Sequence, residues 1–170
     1  RDMNLATRKK ILLGTNQYPN ANEVMDKDIP ASVAKPAQPQ KAAEPLADPL
    51  VPYRGAMKFE AMRLQTDRSN KRPKVFMLKL GHPAMRTARS QFAANFFGCA
   101  GYEILDNLGF DTVEEGVQEA RKQQADVVVI CSSDEEYAEL APKAFEALKD
   151  DAIVVVAGYP KDSMDDLQKA

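Results

Sequence analysis

Histidine occurs once in the 170 residues and cysteine twice. A single imidazole excludes metal or acid–base chemistry that needs two. Cys99 and Cys131 do not have the spacing of a metal site. Both lie in apolar segments, and they read as two buried reduced thiols in a cytoplasmic protein rather than as a disulfide. No apolar run reaches the roughly 18 residues of a membrane-spanning helix. The polar start, RDMNLATRKK, lacks both an initiator Met and the apolar stretch of a signal peptide. The chain is therefore expected to be a window cut from a longer one. It is also too short for a (β/α)₈ barrel, which takes about 250 residues. No loop carries a phosphate-cradling GxGxxG or GxxxxGK[ST] pattern.

What is present is distributed unevenly. Residues 1–72 hold 13 Lys/Arg against 8 Asp/Glu, whereas residues 73–170 hold 10 against 17. Six of the 11 prolines fall between Pro30 and Pro52. The acidic second half argues against a nucleic-acid face. The basic runs of the first half, Arg8-Lys9-Lys10 and Lys71-Arg72, read as solvated surface.

The first ten residues read as the end of a helix, and Ile11-Leu12-Leu13-Gly14 as a short buried strand before a loop. Such a piece cannot bury a core alone. Residues 30–52 read as an extended Pro/Ala linker, because proline fixes φ and removes amide donors. Residues 53–68 have helical spacing and stop before Pro73.

From Pro73 the pattern is regular. Strands are predicted at Lys74–Leu80, Tyr102–Leu105, Ala125–Cys131 and Ala152–Gly158, with the third central because it is apolar throughout. Helices are predicted at Arg86–Cys99, Thr112–Gln124, Asp134–Lys149 and Met164–Ala170. Thr112 with Glu115 makes a capping box. Ser132 or Ser133 is the expected cap of the third of these helices. Ala88, Phe92, Phe96 and Cys99 form the apolar stripe of the first, which places the phenylalanines in a core or an interface. Gly98 and Gly101 are read as its C-caps. The alternation gives an α/β, flavodoxin-like, doubly wound parallel sheet, with its fifth strand missing.

Ligands of this fold bind beyond the carboxyl ends of the strands. His82 follows the first strand there and is a candidate metal ligand or proton shuttle, though an exposed loop or cap histidine explains it too. Ser132-Ser133 offers an anion site at a helix start, against plain capping. Asp106 is a weak candidate for a ribose hydroxyl. Arg86 and Arg89 are candidates for a phosphate clamp, against surface ion pairs. The acidic pattern of a receiver phosphoacceptor is absent.

The stretch RPKVFMLKLGHPAMRTARSQFAANFFGCAGYEILDN closely resembles the start of the C-terminal domain of methylmalonyl-CoA mutase small (beta) subunits. ATRKKILLGTNQYPN resembles the last helix and strand of their TIM-type barrel, and LVPYRGAMKFEAMRLQTDR the helix leading out of the linker. The resemblance implies three parts: 1–29 as the end of a barrel, 30–72 as linker and helix, and 73–170 as a cobalamin-binding-type domain truncated before its last strand. It implies a role in (R)-methylmalonyl-CoA/succinyl-CoA isomerisation, with adenosylcobalamin held by a partner large (alpha) subunit. Neither nucleic acid nor membrane is an expected partner.

Cobalamin-binding relatives of this fold carry DxHxxG, SxL and GG motifs. On those positions this chain has Pro83, Met85 and Ala88, then Cys131 and Ser133, then Ala157-Gly158. A thioether at Met85 is no imidazole, and Ala88 replaces a glycine that permits close approach to the corrin. His82 lies three residues early. The resemblance thus implies a degenerate site, no cofactor bound by this chain, and a structural role. Its rivals are a domain that still binds cobalamin and shares in catalysis, and a stand-alone flavodoxin-like ligand-binding module.

Overall fold

The computed structural model describes residues 2–24, 54–161 and 163–167. The expected Pro/Ala linker, residues 30–52, lies outside them. Four parallel strands form one sheet: β1 Lys74–Lys79, β2 Glu103–Leu105, β3 Val127–Cys131 and β4 Ile153–Val156. Their order is β2-β1-β3-β4. β1 and β3 run side by side from Val75↔Val127 to Lys79↔Cys131. These two interior strands are almost wholly buried, which is why Val75–Leu78 and Val127–Cys131 are unbroken apolar runs.

Helices cover both faces. α1 is the short Asp2–Ala6, α2 is Met57–Arg68, and α3 is Pro83–Gly98, joining β1 to β2. α4 is Val113–Lys122, α5 is Tyr137–Leu148, and α6 is Met164–Leu167. Phe76, Leu78, Val128 and Ile130 pack on one face against Val117, Ala120, Ala141 and Ala144 of α4 and α5. Val75, Met77, Val127 and Val129 pack on the other against Ala93 of α3. Strand side chains alternate between faces, so each strand feeds both cores. Gly116 lets α4 lie close, since a Cβ there would sit 2.2 Å from Leu78 Cδ1.

The strands and helices predicted from Pro73 on are present, the last of them over Met164–Leu167, and the Thr112 hydroxyl accepts from Glu115 N as the capping box requires. Three expectations are corrected. Ile11–Gly14 makes only an isolated bridge, Leu13 to Gln17, and no strand. Gly14 turns the chain at φ 76°, and buried Asn16 draws it into a knot by bonding Leu5 O, Lys10 O and Leu12 N. Of the expected core or interface, the core is excluded for Phe92 and Phe96: they are 59% and 53% exposed, with the Arg8 guanidinium of the first segment over both rings. α3 turns Ser90, Ala93 and Gly98 inward instead, because small residues let a helix approach the sheet. Neither Ser132 nor Ser133 caps α5. Asp134–Glu136 form a turn first, and both hydroxyls bond the Glu136 carboxylate.

Candidate functional site

The loops beyond the carboxyl ends of β1 and β3 meet at Glu136. One oxygen of its carboxylate, Oε2, accepts from Ser132 Oγ, Ser133 Oγ (2.9 Å), Ser133 N (3.2 Å) and His82 N (3.3 Å). The Ser132 hydroxyl foremost, with the other three donors, holds the Glu136 carboxyl down at about 2. Gly81 makes room for it at φ 67°: a Cβ would lie 2.3 Å from Oε2. The β1–α3 and β3–α5 loops are thus tied together through one charged acceptor.

His82 therefore has a structural placement. It is the residue before α3, exposed, and its backbone amide serves the Glu136 carboxylate. Pro83 occupies the first helical position, where its missing N–H costs nothing. No cluster of three or more His, Cys, Asp or Glu suited to a metal exists among the described residues.

Behind this hub Tyr137 is fully buried. Its hydroxyl donates to Ala157 O (2.9 Å) and accepts from Ser132 N (3.1 Å), so it bridges the ends of β3 and β4. Burial pushes the phenol up to about 12. Cys131 is buried in the interior strand and its thiol is likewise pushed up to about 12, which leaves it protonated and inert. Cys99 is also free and buried.

A groove of about 640 Å³ opens between α3 and β4. Met85, Ala88, Phe92 and Phe96 line one wall, and Val155 and Tyr159 the other. Ala157 and Gly158 also border it, so four of the seven cobalamin-motif positions face this groove. Pro83, Cys131 and Ser133 do not. The groove has no histidine or carboxylate in its lining, and Arg89 at its mouth pairs with Asp134 at 2.8 Å. It lies along β4, which has no neighbour on its outer side among the described strands.

The remaining candidates fall into ion pairs and loop contacts. Asp106 pairs with the buried Lys79 at 2.6 Å, and Lys79 also donates to Asn107 O. Arg89 forms the expected ion pair. Arg86 instead bonds two carbonyls, Gly81 O and Leu108 O, and clamps the β1 and β2 loops together. Glu136, Tyr137 and Lys79 were not singled out by sequence. Glu136 carried one available signal, a carboxylate three and four residues after paired serines.

Fold and site define a flavodoxin-like parallel α/β unit whose β1 and β3 loops are tied together at the Glu136 carboxylate. No protein-family model matches the chain. Curated proteins do. Over 161 residues, 94% of the chain, it is 55% identical to the methylmalonyl-CoA mutase small subunit of Porphyromonas gingivalis. It is 33% identical over 154 residues, 88% of the chain, to the small subunit of Streptomyces virginiae. To a probable methylmalonyl-CoA mutase small subunit of Mycobacterium tuberculosis it is 32% identical over 138 residues, 78% of the chain. It covers 25%, 23% and 20% of those three relatives, so the chain spans about a quarter of their length. The chain is homologous to a stretch of methylmalonyl-CoA mutase small subunits, as its residues suggested.

Proposed function

We propose that this chain is part of a small, non-catalytic subunit of an adenosylcobalamin-dependent methylmalonyl-CoA mutase. It works in the cytoplasm, assembles with the large subunit, and leaves the cofactor and the radical isomerisation of (R)-methylmalonyl-CoA and succinyl-CoA to that partner. One observation carries the reading. The groove that gathers Met85, Ala88, Ala157 and Gly158 has no imidazole in its lining, and the one histidine belongs to the hub at Glu136. Cobalt ligation by a protein calls for an imidazole nitrogen with a second group orienting the ring. Met85 offers a thioether, and Phe92 and Phe96 fill the same wall. These residues do not fit a corrin with a protein-supplied axial base.

The same reading gives the groove a structural use. Its apolar wall and the free edge of β4 suit burial by more polypeptide, and we assign it to a fifth strand with its helix. Residues 1–29 would then end a barrel, and 30–72 would link it to the α/β domain. No helix of the described residues is long and apolar enough to cross a membrane.

Co-expression with a methylmalonyl-CoA mutase large subunit tests the role. The expected result is a co-purifying pair in which the large subunit survives heating longer than it does alone. Separate elution with an unchanged large subunit overturns the proposal.

A further inference from the structure

Residues 2–24 stand before the α/β unit in the chain, separated from it by residues 25–53, yet they lie against α2 and α3. The contact centres on Arg63 of α2, which is 8% exposed. Its guanidinium donates to Gly98 O (3.2 Å) at the end of α3, and to Asn20 O (3.2 Å) and Glu23 O (2.7 Å) of the first segment. Its Nε has no partner among the described residues. A buried cation satisfied only by neutral carbonyls is costly unless the site supplies negative potential. The carboxyl end of α3 supplies it, since the last turn of that helix has no basic residue of its own.

Two glycines make the contact possible. A Cβ on Gly98 would lie 3.1 Å from Pro19 Cγ, and one on Gly101 would lie 2.8 Å from Arg63 Nε. Gly101 also takes φ 79°, which disfavours any side chain. The glycines therefore do more than end a helix: they clear the bed for the segment and for its pin. Two further points hold the segment along α3. Tyr18 N donates to Asn95 Oδ1 at 3.0 Å, and the Arg8 guanidinium lies 5.1 Å from the Phe92 ring and 5.7 Å from that of Phe96. The segment itself is preorganised around Asn16, which is 1% exposed.

We propose that residues 2–24 are a strap bound to the carboxyl end of α3 and pinned there by Arg63. The strap holds whatever precedes the α/β unit in fixed orientation to it, so the unit does not swing freely on residues 25–53. This holds whether or not the unit has lost its cofactor.

A protease site placed within residues 30–52 tests it. After cleavage, the amino-terminal piece stays with the folded remainder on gel filtration. Arg63→Ala weakens that association at least about 10-fold, because one side chain holds both partners. Arg63→Lys, which keeps the charge and loses the fork, weakens it less. Gly98→Val overfills the 3.1 Å gap to Pro19 Cγ and weakens it while leaving Arg63 in place, so it serves if Arg63→Ala fails to fold. Release of the piece from the wild-type chain on cleavage overturns the proposal. So does retention by Gly98→Val and a folded Arg63 variant equal to wild type.

Discussion

Replacing Glu136 by glutamine isolates the hub that joins the two central loops. The carboxylate oxygen accepts four hydrogen bonds, two from hydroxyls and two from backbone amides. Bonds to a charged group contribute roughly 1.5–3 kcal/mol and neutral ones roughly 0.5–1.5. Glutamine keeps the shape and one acceptor oxygen but loses the charge. Half-exposure of the site screens part of the difference, so Glu136→Gln is expected to cost about 2 kcal/mol at pH 7. With a urea m-value of about 1.3 kcal/mol/M, the midpoint falls by about 1.5 M. The effect has a pH signature. The folded carboxyl titrates at about 2, below its ordinary 4.5. A depressed carboxylate stabilises the fold fully above its unfolded pKa and loses that contribution as pH falls through the folded one. The gap between wild type and Glu136→Gln is thus full above pH 5 and closes between about pH 4.5 and 2. Equal midpoints at pH 7, or a gap that does not change down to pH 2.5, would refute this account of the hub.

Other substitutions probe the packing that positions the rim. Gly116→Ala puts a methyl into Leu78 and is expected to destabilise by about 1–3 kcal/mol in urea or thermal melts, with the sheet's circular dichroism retained. Tyr137→Phe removes the hydroxyl between Ser132 N and Ala157 O and is expected to cost about 1–3 kcal/mol, seen as faster hydrogen exchange at Ser132. Thr112→Ala removes the α4 cap at a cost of about 1 kcal/mol in the same melts. Phe92→Ser with Phe96→Ser shrinks the exposed apolar wall of the groove, so a dye that fluoresces on apolar protein surface should bind less than in wild type.

The sheet was legible because β1, β3 and β4 each hold an apolar run of four or five residues, and because β3 reads as interior in composition alone. The α4 cap was legible for the same local reason. α3 misled because periodicity follows hydrophobicity, whereas the inward face was chosen by size: Ser90 and Ala93 fit against the sheet and the phenylalanines do not. The hub at Glu136 was hidden because its donors come from two loops about 50 residues apart. Ile11–Gly14 read as a strand from composition, but its shape is fixed by buried Asn16, a polar residue that no apolar pattern marks. The strap on α3 depends on contacts between residues 40 to 90 positions apart, and those are invisible to local rules.

The proposed role requires a domain that keeps a flavodoxin-like fold and does not ligate cobalamin. Titration of the purified chain with hydroxocobalamin, followed by visible absorption, tests it most directly. The account predicts a spectrum that stays that of the free cofactor at every protein concentration. A saturable shift that His82→Ala abolishes would contradict it.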